Sequence, residues 1–227
     1  MISVIDYGCG NTHAFINVFK RLNLPVNIAR TVAEVEKSDK IVLPGVGSFD
    51  YVMNSFNKSG LRDIVEQKVM VEKIDVIGIC AGMQIFAETS DEGNEKGLGW
   101  VNGKIRIFNV KKINHKTKLP HMGWNTVNPV NNQLFEGIDI SSRFYFVHSY
   151  YFANSNPENI AATTNYAGLF TSAVKRDNIY GVQFHPEKSH ENGLQLLKNF
   201  AELETMLNPT IIPCLLVKNK GLVKTVK

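Results

Sequence analysis

A short apolar run at residues 76–79 ends on Cys80, and a helix-like stretch opens immediately at Ala81, Gly82, Met83 and Gln84. A cysteine on a strand-to-helix junction stands proud of its sheet. The helix's unpaired amides and positive dipole end then lie beside it and favour thiolate over thiol. Gly78 and Gly82 leave room for the close backbone approach that such a turn needs. On this segment alone two readings stay open, a nucleophile and an ordinary buried cysteine.

The surrounding pattern gives the junction a sheet to sit in. Short apolar runs predict strands at 2–7, 26–30, 40–44 and 75–80, with amphipathic stretches between them. Phe15, Val18, Phe19 and Leu22 fall at i, i+3, i+4 and i+7, one face of a helix that starts after Asn11 and ends before Pro25. Further helices are expected at 31–37, 49–57 and 61–71. After a loop at 93–99 the pattern changes to alternating runs at 101–108, 124–127, 143–152, 160–164 and 171–184, read as mostly antiparallel strands. A last helix begins near His190 and returns Leu196, Phe200, Leu203 and Leu207 to the sheet. The expected fold class is α/β: three layers, α/β/α, around a central, mostly parallel, flavodoxin-like sheet, with antiparallel strands added in the C-terminal half. One domain over 1–207 is expected, followed by a tail at 208–227.

Composition excludes several classes. The 227 residues are 44% hydrophobic, enough for one full core. Cys9, Cys80 and Cys214 are few, odd in number and not spaced for a metal, which argues against a disulfide scaffold or zinc site and for a reducing cytoplasm. The apolar N-terminus is short and lacks a basic leader, so it reads as the first strand; neither a signal peptide nor a membrane span is expected. The formal charge of +4 is scattered apart from the tail and a loose cluster from Lys111 and Lys112 to Lys118, which reads as a solvated loop, not a nucleic-acid surface.

About 100 residues after Cys80, Tyr180, Val182 and Phe184 alternate with Gly181, Gln183 and His185. Period-two patterning reads as a strand with one buried face and His185 at the end of the other. Pro186 stops the strand, and His185 and Glu187 can then point the same way, the carboxylate holding one ring nitrogen and leaving the other for a thiol. A lone His-Pro-Glu is a surface turn. Paired with a strand-end cysteine, it reads as a catalytic triad.

Gly78-Ile-Cys-Ala-Gly-Met-Gln84 and Gly181-Val-Gln-Phe-His-Pro-Glu187 together resemble the class I (triad) glutamine amidotransferases. Asp6-Tyr-Gly-Cys-Gly-Asn11, Leu43-Pro-Gly-Val-Gly-Ser-Phe49, His121-Met-Gly-Trp-Asn125 and Phe146-Val-His-Ser-Tyr-Tyr151 narrow the resemblance to the glutaminase subunits of imidazole glycerol phosphate synthases, from residue 1 to about 207. The resemblance implies catalysis by Cys80, His185 and Glu187 without cofactor or metal. It implies main-chain oxyanion donors at Val46 and Ala81, and a glutamine cradle of Gly45, Gly47, Gln84, Ser149 and Tyr150. Without it, Pro44 to Gly47 is a plain turn. It also implies a heterodimer with a (β/α)8-barrel cyclase, fused or separate, that uses the ammonia to make imidazole glycerol phosphate and AICAR in histidine biosynthesis. Asn11, Trp124, Asn125 and Lys188 are then interface residues, although Trp124 alone reads equally as core and Lys188 as a solvated charge. His121 and His148 read as structural, and His13, His115 and His190 carry no visible role.

The tail departs from the family. Residues 211–227 resemble the opening strand and hairpin of the partner barrel, either the start of a fused synthase or an inert tail. Their wording is closer to cyclase homologues of surface-sugar pathways, so the alternative acceptor is a sugar undergoing amidination. A stand-alone cysteine hydrolase and a silent docking subunit are the competing readings from other classes.

Overall fold

In the computed structural model, residues 1–113, 118–130 and 132–203 are described, together with the backbone at 217–218 and 221–222. Strands β1 (Ile2–Ile5), β2 (Val26–Ala29), β3 (Lys40–Gly45) and β4 (Asp75–Cys80) alternate with helices α1 (Thr12–Arg21), α2 (Val32–Glu36), α3 (Phe49–Lys58) and α4 (Arg62–Glu66). A single helical turn, α5 (Ala81–Gln84), follows β4. Then come β5 (Thr89–Ser90), β6 (Gly103–Ile107), β7 (His121–Thr126), β8 (Asn128–Pro129), β9 (Arg143–His148), β10 (Tyr150–Asn154), β11 (Ile160–Asn165), β12 (Leu169–Arg176), β13 (Ile179–Val182) and α6 (His190–Glu202).

The main sheet runs β2-β1-β3-β4-β13-β12-β10-β6-β5, with β11 and β8 branching from β12. From β2 to β13 every pairing is parallel, and β12, β10, β11 and β8 join antiparallel. The flavodoxin-like half and the antiparallel half are therefore one sheet. One face packs on α3 through Phe49, Val52, Met53 and Phe56. The other packs on α1 and α6 through Phe15, Phe19, Leu196, Leu197 and Phe200. Burial on both faces is why β1, β3 and β4 are buried along their whole length and mostly apolar.

The structure redraws several expected elements. The first strand stops at Ile5, and residues 6–11 form a loop beyond its carboxyl end that ends at Asn11, whose side chain accepts from Ala14 N and caps α1. The expected helix at 61–71 is α-helical only to Glu66 and continues as a π-helical turn, Gln67–Val71. The run at 143–152 is two strands in different sheets: β9 pairs along its length with β7 in a separate ribbon, with a single bridge from Tyr145 to His185, β10 belongs to the main sheet, and Ser149 is the joint. The run at 171–184 is a hairpin, and its second strand, β13, ends at Val182 and lies parallel to β4. The alternation at 180–185 does not mark one buried face, since Gln183 and His185 are buried like Tyr180, Val182 and Phe184. Both faces of the central sheet are covered.

Lys40 and Asp75, paired at the start of β3 and β4, form a buried ion pair at 2.5 Å, and Lys40 Nζ also donates to Leu203 O at the end of α6. His115 and Cys214 lie outside the described residues. So does most of the segment after 203, where Val217–Lys218 pairs antiparallel with Gly221–Leu222.

Candidate active site

Cys80 ends β4 with φ +54° and ψ −114°, a backbone conformation unusual for a side chain with a Cβ. Close packing holds it there: Gly45 pairs with Cys80 in register, and a Cβ on Gly82 would run into Leu43 O. The elbow is thus built against the end of β3. α5 is only one turn long, so its dipole is smaller than the sequence suggested. The amides of its first residues still lack intrahelical partners.

Strand register brings the second motif to the first. Ile79 pairs with Val182, so His185 lies three residues past the end of the strand beside Cys80. His185 N donates to Tyr145 O at 2.8 Å. Ser189 Oγ donates to His185 O at 2.6 Å and accepts from Tyr145 N at 3.0 Å, clamping the Pro186 turn. His185 Nδ1 is 2.7 Å from Glu187 Oε1, and both side chains are 5% exposed. Burial opposes charge on this imidazole, but the Cys80 thiol and Glu187 outweigh it and push its pKa up to about 10. Nε2 makes no hydrogen bond of full geometry, yet Cys80 lies close enough to act on the charge of the ring. A buried ring nitrogen left in this state marks a place for a reacting atom.

Cys80 and His185 line a cavity of about 260 Å³. Val46, Gly47 and Ala81 form one wall, and His148, Ser149 and Tyr150 another. Gln84, Glu92, Val147 and Lys188 complete it. A larger cavity of about 530 Å³, between Pro120 and Asn125 and beside Asn165 and Tyr166, holds no cysteine. Among the described residues, no cluster of three or more His, Cys, Asp or Glu is arranged to hold a metal ion, and no helix is long and apolar enough to cross a membrane.

The sequence profile of the family described as glutamine amidotransferase class-I matches residues 3–203. The chain belongs to the class-I glutamine amidotransferases. Imidazole glycerol phosphate synthase subunit HisH of Bdellovibrio bacteriovorus is 51% identical over 205 residues, covering 89% of this chain and all of the relative. The HisH subunit of Leptospira borgpetersenii is 47% identical over 204 residues, again 89% of this chain and all of the relative. A solved glutamine amidotransferase structure superimposes with a TM-score of 0.67 at 18% identity, covering 88% of this chain and 98% of that one, which speaks to the fold.

In this amidotransferase the expected site residues divide by position. Val46 and Ala81 are the first residues beyond the register pair Gly45 and Cys80, so their backbones share one rim of the cavity. Gly45 lies behind that rim, packed on Gly82, and is not in the wall. Both amide hydrogens of Gln84 are used, towards Tyr150 O at 3.2 Å and Gln183 Oε1 at 3.0 Å, which leaves its oxygen for a ligand. Trp124 is 44% exposed, stacked on His190 with ring centroids 5.1 Å apart. Lys188 lies over Tyr145 at the mouth of the cavity. The Asn125 side chain bonds inward to Asn165 O and His121, while Asn11 caps its own helix.

Sequence reasoning missed four residues. Glu92, in a loop with no periodicity, enters the cavity wall while accepting from Phe49 N at 2.9 Å. Burial and nearby Asp50 raise its pKa, partly offset by the Phe49 bond. Ser189 clamps the histidine turn, His190 supports Trp124, and Gln183 reaches Cys80. A polar Gln183 on an otherwise apolar strand end was the one signal available.

Proposed function

We propose that this amidotransferase is the glutaminase subunit of an imidazole glycerol phosphate synthase in histidine biosynthesis, releasing ammonia from glutamine for a cyclase subunit. End-to-end matches to HisH subunits at about half identity support the pathway. The observation that carries the chemistry is a buried His185–Glu187 pair whose free ring nitrogen faces Cys80.

Cys80 attacks the side-chain carbonyl of glutamine as a thiolate. The tetrahedral oxyanion takes N–H bonds from the main chain of Val46 and Ala81, neighbours on one rim of the cavity. His185 passes its Nε2 proton to the departing nitrogen, ammonia leaves, and a γ-glutamyl thioester remains on Cys80. Water then gives a proton to His185 and attacks the thioester, releasing glutamate and restoring the thiolate. Glu187 keeps the ring oriented throughout. Glu92, a carboxylate in the cavity wall, suits the α-ammonium of the amino acid, and Gly47, Gln84, Ser149 and Tyr150 complete the cradle.

Ammonia set free in water is protonated and lost, so the product must pass directly to a partner. A (β/α)8-barrel cyclase docked over Met122, Trp124 and Lys188 fits an exposed aromatic and basic patch beside the cavity mouth. Residues 1–207 act as the amidotransferase domain and 208–227 as an appended tail. A glutamine-like diazo ketone tests the chemistry. Covalent mass added to Cys80, and abolished by excess glutamine, is expected; an unmodified Cys80 would refute it.

A further inference from the structure

The least explained feature of the interior is a line of polar side chains, buried except at its Asn125 end, leading away from the nucleophile. It begins at Tyr150 O, which can only accept. His148 Nδ1 lies 2.7 Å from this oxygen and Gln84 Nε2 lies 3.2 Å from it, so both must donate. The second N–H of Gln84 goes to Gln183 Oε1 at 3.0 Å, which turns the Gln183 amide nitrogen towards Cys80 Sγ, 3.7 Å away. Gln183 is fully buried, so its orientation has no solvent alternative.

The other direction is equally determined. His148 is buried and neutral, its pKa lowered to about 3 by burial and by nearby His121 and His185 against the favourable Tyr150 bond. With its proton on Nδ1, its Nε2 accepts, and His121 Nδ1, 2.9 Å away, must donate. Asn125 uses Oδ1 for Thr126 N and Nδ2 for Asn165 O, so it presents N–H to His121 Nε2 at 3.1 Å. With His148 neutral, each of these links has one donor and one acceptor.

We propose that Gln183 is a positioning residue for the nucleophile, holding Cys80 Sγ by an N–H bond, and that it ends a network in which Asn125, His121 and His148 donate in sequence onto Tyr150 O while Gln84 donates both to that oxygen and to Gln183. An N–H aimed at sulfur stabilises the thiolate more than the thiol, because a hydrogen bond to an ion is the stronger one. The network starts on β7 next to exposed Trp124, so a partner seated there touches the strand that anchors it. The proposal rests on Cys80 being the nucleophile.

Alkylation of the free chain by iodoacetamide, read at the Cys80 peptide from pH 5 to 9, tests the last link. His185 and Tyr7, the titratable groups that interact with Cys80, are unchanged in Gln183→Met. Gln183→Met, similar in length but without a donor, is expected to slow alkylation at pH 7 by about tenfold, move its midpoint to higher pH, and lower kcat more than it raises KM. Rates within twofold of wild type in a folded Gln183→Met would overturn the positioning role. The wild-type chain tests the direction without any variant: ¹⁵N NMR at pH 7 is expected to find His148 neutral and protonated on Nδ1. The Nε2–H tautomer or an imidazolium would break the network. Wild-type Cys80 inert to both iodoacetamide and the diazo ketone would fell the nucleophile reading, and this proposal with it.

Discussion

Nδ1 of His185 and Oε1 of Glu187 lie 2.7 Å apart across the turn made by Pro186, both side chains sealed from solvent. The same turn is tied to β9 by His185 N and by Ser189 Oγ, so the ring is fixed at its backbone as well as at its nitrogen.

Replacing Glu187 by Gln removes a charge that holds the imidazole protonated. His185 then loses its proton at lower pH than the value near 10 of the intact site. A fall in kcat on the order of 10²- to 10⁴-fold is expected from glutamate release. Stability carries the same sign. The stabilisation from the raised pKa is full below the ordinary histidine value near 6.5 and is lost as pH rises through about 10. Urea unfolding of Glu187→Gln is expected to show an earlier and smaller alkaline loss.

Glu92 faces the cavity and also caps α3 through Phe49 N. Glu92→Gln keeps an acceptor oxygen for the cap and removes the charge offered to the ammonium. KM for glutamine is expected to rise about tenfold, the scale of one charge-assisted contact, with kcat changed little. Because its pKa is raised, the wild-type KM also rises as pH falls towards the acid range.

Gly82 has no space for a methyl group: a Cβ would meet Leu43 O and lie 3.1 Å from the backbone carbon of Pro44. Gly82→Ala is expected to cost about 1–3 kcal/mol in denaturant unfolding. Activity should fall further than stability, since the displaced element carries Cys80 and Ala81.

His148 is neutral in the fold, and its unfolded form binds a proton below about 6.5. Stability from this group is therefore present above pH 6.5 and is lost as pH falls towards about 3. In urea unfolding, the advantage of wild type over His148→Asn is expected to shrink by about 1.4 kcal/mol per pH unit through that window.

What the sequence could disclose was local. Cys80, His185 and Glu187 lie in short segments whose strand ends, glycines and proline can be read in place, and β1, β3 and β4 are short, mostly apolar runs between amphipathic stretches. The break at Ser149 was hidden because β9 and β10 both alternate, and only the tertiary fold sends them to different sheets. The shortened α4 was hidden because Gln67–Val71 keeps a helical composition while its hydrogen bonds shift. Glu92 and Gln183 act through partners at distant positions, Phe49 and Cys80. No spacing in the chain encodes those meetings. His190 looked idle for the same reason: its role appears only once β7 brings Trp124 onto its ring.

Glutamate release from glutamine is the most direct test of the account. It is measured for the wild-type chain and Cys80→Ala, with and without a HisF-type cyclase subunit and its nucleotide substrate. Release is expected to depend wholly on Cys80 and to rise sharply when the cyclase and its ligand are present. Release that persists in Cys80→Ala, or that ignores the cyclase, would contradict the account.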